Sequence, residues 1–120
     1  MITIEIRSEL SAVGLDSVLM IEKFMDSEEM FLKYFKKFFS SSDSVVAELK
    51  TAVEAENYDE IISKAHALKG MAGNIGLNGV FVPAKDIVDD LRMEIYISYK
   101  QDFEELYAAY NKAKLIAEKL

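Results

Sequence analysis

The sequence predicts an all-α protein, an up-and-down antiparallel four-helix bundle with short N-terminal helices. Three observations predict it. The chain of 120 residues holds one proline, Pro83, and five glycines, four of them between residues 70 and 79, and such sparse punctuation suits long helices. Apolar residues recur every three or four positions through several long segments, the spacing of one buried helix face. The breaks between those segments are short, which favours antiparallel neighbours packed around one core.

We read residues 1–120 as a single helical domain, with short helices at about 3–25 and the bundle at about 27–119. Ile2, Ile4 and Ile6 alternate as in a strand, but Ile6, Leu10 and Val13 keep helical spacing and no partner strand is evident, so a short helix stopped by Gly14 is expected. Asp16 is placed to cap a second short helix through about Met25. Ser27 is placed to cap the next, whose first turn carries Glu28 and Glu29. A stripe of Phe31, Phe35, Phe38, Val45, Leu49 and Ala52 follows, with Ser42 in the same phase. It predicts one long helix bent near Ser40 to Asp43, or a break there with Asp43 as a new cap. The phenylalanines are core residues on this reading.

Asn57 should cap the next helix after a turn at Glu56 to Asn57, and Gly76 should stop it, with Asn74 also able to turn left-handed. A further helix follows Asn78. Pro83 lacks an amide donor and crowds the preceding turn, so that helix either begins near Val82 or kinks at the proline, ending near Arg92 to Glu94. The segment "MEIYISYK" reads as a connection. The last helix spans about Tyr99 to Glu118, with Phe103, Leu106, Tyr110, Ala113 and Ala117 on one face.

Composition removes several function classes. Hydrophobic residues make up 51% and charged residues 29%, the balance of a soluble globular chain. There is no cysteine, hence no disulfide, thiolate metal site or cysteine nucleophile. The net charge is −7 and no basic face is visible, which argues against nucleic acid; Lys33, Lys36 and Lys37 read as a solvated helix face. No apolar run approaches the roughly 20 residues of a membrane span, and "MITIEIRSEL" lacks a signal-peptide core. No membrane association and a cytoplasmic location are expected.

The chemistry concentrates in "SKAHALKGMAGNIG", which holds the chain's one histidine. Tyr58, Ile61, Ala65, Leu68, Ala72 and Ile75 form the buried arc of this helix, and His66 falls roughly 130° from its centre, toward solvent. Asp59, Ile62, Ser63, Lys69, Gly70 and Gly73 lie on the histidine's side within one or two turns. Each glycine costs about 1 kcal/mol against alanine inside a helix. Gly70 and Gly73 therefore read as clearance for a large group that docks onto His66. An ordinary imidazole, with a pKa of about 6.5, is largely neutral near pH 7 and is then a nucleophile. If His66 takes up a phosphoryl group, Lys69 can offer it a charge-assisted hydrogen bond. One imidazole, one cation and open space suit transient carriage of that group.

"AHALKGMAGNIGL" resembles the signature of histidine-containing phosphotransfer (HPt) domains, His-x-Leu-Lys-Gly followed by Asn-x-Gly, carried here by His66, Leu68, Lys69, Gly70, Asn74 and Gly76. The similarity covers about Leu15 to Leu91 and, more loosely, the C-terminal helix. The resemblance implies a four-helix bundle that relays phosphoryl groups between a histidine kinase and the aspartates of response-regulator receiver domains. It implies that His66 is the phospho-acceptor, that Lys69 stabilises the phosphoryl group and that Gly70 gives the partner room. Asp59, Ile62, Ser63 and Gly73 would contact the partner. It implies no kinase activity, no ATP site and no cofactor, with Mg2+ belonging to the receiver. Val80, Val88 and Pro83 depart from the family pattern; Val88 stands where an acidic residue is common, with Asp89 adjacent. The motif fits a stand-alone relay protein and a segment of a larger kinase equally, and a monomer is expected.

The second reading is a helical adaptor that binds receiver or kinase domains without accepting phosphate, through Ile62, Gly70, Gly73 and nearby apolar residues. A metal-binding bundle is disfavoured, because one histidine without cysteine or a Glu-x-x-His pair supplies too few ligands.

Overall fold

The phenylalanine stripe forms one uninterrupted helix in the computed structural model, which describes residues 2–120. This helix, α3 (Glu28–Glu54), holds 27 residues. At 1.5 Å per residue it is about 40 Å long, nearly the full 43 Å of the molecule's longest axis. It does not restart at Asp43. Ser42 keeps the stripe in phase because its hydroxyl has a partner inside the core: Ser42 and Tyr110 are bonded oxygen to oxygen at 2.8 Å.

The other elements, in chain order, are α1 (Ile4–Ala12), α2 (Ser17–Lys23), α4 (Tyr58–Asn74), α5 (Asn78–Arg92) and α6 (Tyr99–Glu118). Among the described residues the secondary structure is entirely helical. The expected caps are in place. Asp16, Ser27 and Asn57 each accept a bond from the amide three residues on, at 3.1, 3.1 and 3.3 Å. Thr3 does the same for α1. The second short helix ends earlier than its apolar pattern suggests, because Met25 and Asp26 both turn left-handed at φ 59° and 60°. Gly14 and Gly76 also sit at positive φ, 80° and 70°, where a left-handed backbone ends α1 and α4. Asn74 remains helical.

Four long helices close a ring of contacts: α3 packs on α4 and α6, and α5 packs on α4 and α6. Their facing stripes supply the core, which includes Phe31, Phe35, Leu49, Ile61, Leu68, Val80, Ile87 and Leu106. The smaller α1 rests on α6, and α2 on α3.

Pro83 is the sixth residue of α5, so the helix does not begin near Val82. The proline ring is buried. Its missing amide leaves the Gly79 carbonyl without the usual intrahelical donor. The start of α5 is held from outside. Leu77 supplies no side-chain cap; instead the Asn78 and Gly79 amides donate to the Gly14 and Val13 carbonyls at 3.3 and 3.0 Å. The turn between α1 and α2 thereby satisfies two of the amides that every helix N-terminus leaves open. The approach is so close that a Cβ on Gly79 would stand 2.4 Å from the Val13 oxygen, and one on Gly14 would stand 2.7 Å from the Gly79 nitrogen.

Candidate functional site

The site is built on α4. Ile61, Ala65, Leu68 and Ala72 are buried on its inner face, and that burial fixes the helix's rotation. His66 follows as an exposed side chain, with Asp59, Ser63, Gly70 and Gly73 also exposed and Ile62 and Lys69 half-buried. The helix thus gathers every residue singled out by the spacing onto one outward stripe. On the other flank of α4, Lys64 pairs with Glu48 of α3 at 2.7 Å, tying the helix to its neighbour and away from the histidine stripe.

The two glycines beside the imidazole differ. A Cβ at Gly70 would meet nothing within 4 Å, so the space there is open. A Cβ at Gly73 would stand 3.2 and 3.3 Å from two ring carbons of Phe81 on α5. The bare backbone at Gly73 has an internal use, seating that ring, which the spacing within α4 does not reveal. Gly76 is tighter still, since its Cβ would fall 2.4 Å from the Met20 sulfur.

Charge on α5 completes the surroundings. Lys85 Nζ donates to Asp89 Oδ2 at 2.7 Å. That bond, with the positive charges of Lys85, Lys69 and Arg92, holds the Asp89 carboxyl below the usual carboxylate range. Lys69 therefore lies within electrostatic reach of Asp89, across the junction between α4 and α5. The i, i+4 spacing of Lys85 and Asp89 is visible in the sequence, but their alignment with Lys69 depends on how the two helices pack.

No cluster of three or more metal-ligating side chains occurs among the described residues. Nor is any of their helices long and apolar enough to cross a membrane. The arrangement offers a single accessible nucleophile, a neighbouring ammonium and a clear approach. A family model described as "Hpt domain" matches residues 33–93, which contain α4, α5 and most of α3. No curated protein and no solved structure gave a match.

Proposed function

This chain belongs to the Hpt domain family, whose members are phosphocarrier modules of two-component signalling that work with receiver and kinase domains, and we propose that it is a phosphorelay intermediate in which His66 carries the phosphoryl group. The observation that carries this reading is the exposed imidazole on a helix whose inner face is buried, with open space at Gly70. An unprotonated ring nitrogen of His66 attacks the phosphorus of a receiver's aspartyl phosphate. The new P–N bond forms as the acyl P–O bond breaks, and the aspartate leaves as a carboxylate. The second ring nitrogen keeps its proton. The same step in reverse passes the group to another receiver, and a histidine kinase can serve as the first donor. Lys69 offset by one turn supplies positive charge to the phosphoryl oxygens, while Mg2+ in the receiver neutralises the developing charge. Positioning is the main contribution of this chain.

Residues 1–120 act on this reading as one domain, an antiparallel four-helix bundle of α3 to α6 preceded by two short helices. The closed ring of helix contacts and the short connections support it. Asp59, Ile62, Ser63 and Gly73 border the docking face. The protein works as a cytoplasmic monomer without ATP or a cofactor of its own.

Incubation with a set of phosphorylated receiver domains tests the proposal. The chain should acquire acid-labile, base-stable phosphate, and His66→Gln should abolish it without changing helix content. Label retained in that variant refutes His66 as acceptor. Receiver binding without any label would leave the adaptor role in its place. Lys69→Ala should slow transfer or shorten the phosphohistidine lifetime.

A further inference from the structure

The segment "MEIYISYK" has the composition of a strand, yet it forms the connection between α5 and α6 and the first residues of α6. It keeps apolar side chains in solvent: Tyr96 is 45% exposed and Ile97 90%. It is nevertheless held in place. The Tyr96 ring stacks on that of Tyr58, the first residue of α4, with centroids 4.5 Å apart. Tyr99 meets Tyr58 edge-on at 5.8 Å, and Lys100 pairs at 2.9 Å with Glu56 in the turn before α4. The Ile95 amide donates to the Asp90 carbonyl, also at 2.9 Å. Apolar groups presented to water on a fixed scaffold mark a contact surface when they adjoin a site.

They do adjoin one. Tyr58, Ile62 and His66 are spaced four residues apart and form one ridge of α4. The first two are half-buried and the third is exposed. From the aromatic stack to the imidazole the ridge covers about 12 Å, at 1.5 Å per residue. A standard protein interface takes about 800 Å² of each partner, a disc of roughly 16 Å radius. A receiver domain seated on His66 therefore reaches the stack.

We infer that Tyr96, stacked on Tyr58 and extended by Ile97, is a docking contact for the receiver domain that exchanges phosphate with His66. The inference rests on the phosphotransfer reading and adds to it a contact from outside α4. Neither side chain belongs to the helix that carries the imidazole, so the contact acts on how tightly a receiver docks and not on the acceptor chemistry. A rigid aromatic with one face already packed loses little freedom when its other face is covered, which suits an anchor. A second copy of this chain is the weaker occupant, because each copy carries a net charge of −7 and the two repel.

Two donors used side by side test this: phosphorylated receiver domains, and phosphoramidate, a small donor whose P–N bond breaks with loss of ammonia as the new bond to histidine forms. Tyr96→Ala and Ile97→Ser should each raise the receiver concentration at half-maximal transfer about tenfold, the scale of one lost interface anchor. Helix content and phosphoramidate labelling should stay native. Tyr96→Phe keeps the ring and should transfer as the native chain does. Leu115→Ser is the control: Leu115 is 59% exposed on α6, diagonally across the ring of helices from α4, and its replacement should change nothing. Should Tyr96→Ala disturb the fold, Ile97→Ser decides. Native transfer in Ile97→Ser, or an equal loss in Leu115→Ser, overturns the inference while leaving His66 as acceptor. So does a native dimer, seen by sedimentation, that Ile97→Ser dissociates, since the face would then join two copies. A native chain labelled by neither donor refutes the phosphotransfer reading, and the inference with it.

Discussion

Gly70 and Gly79 lie nine residues apart in the same glycine-spaced segment, yet their surroundings are opposite. A methyl group at Gly70 meets open space, whereas one at Gly79 collides with the Val13 carbonyl and crowds Ala109. At the first position glycine keeps helix surface bare. At the second it lets two backbones touch, so that the α1–α2 turn can cap α5. Regular spacing in a sequence can therefore join residues with no physical purpose in common.

The largest expected effect tests the crowded end. Gly79→Ala should lose about 3 kcal/mol of stability, since the obstacle is main chain and cannot rotate away. Chemical denaturation measures it, and a variant as stable as the native chain would dismiss the clasp between the two turns. An intermediate effect is expected where α3 meets α6. Tyr110 donates to Asp43 Oδ1 at 2.5 Å, so the single phenolic proton is committed and the buried Ser42 hydroxyl must donate to Tyr110. Tyr110→Phe should cost about 1–3 kcal/mol by stranding Ser42.

The same residue predicts a pH dependence. Burial, with the Asp43 hydrogen bond beside it, pushes the Tyr110 hydroxyl above the usual tyrosine range. A group whose pKa is raised by folding gives stability that is full below its unfolded value, about 10, and is lost as pH rises beyond it. Native stability should thus fall above about pH 10 by a component absent from Tyr110→Phe. Parallel alkaline profiles would contradict this assignment.

The smallest effect, and the one of opposite sign, belongs to Gly70→Ala. It should stabilise the helix by up to about 1 kcal/mol and leave phosphoramidate labelling intact, while slowing transfer from a phosphorylated receiver. Unchanged transfer would remove the clearance role of Gly70 and level the contrast with Gly79.

Much of the helical pattern was legible because each stripe is a property of one segment. Phe31 to Ala52, Ile61 to Ile75 and Phe103 to Ala117 declare their buried faces by phase alone. The outward placement of His66 followed from the same phase. What the pattern could not show involves partners far apart in the chain. The clasp of Val13 and Gly14 on Asn78 and Gly79 is an encounter of backbones, to which side-chain periodicity is blind. Phe81 against Gly73 requires the relative rotation of two helices. Pro83 left two readings open, a late helix start or a kink. Local rules place proline at a helix start, but here the helix already begins at Asn78, held by amide partners from another part of the molecule.

The hydroxyl pair of Ser42 and Tyr110 sits beside the rings of Phe38 and Phe39, with Asp43 accepting from Tyr110 at the edge of the seam. Greasy rods can slide against each other at little penalty, but a displacement of one turn, about 5.4 Å, would part the buried Ser42 hydroxyl from its phenol. The pair works as an axial key, selecting one longitudinal setting of α6 on α3.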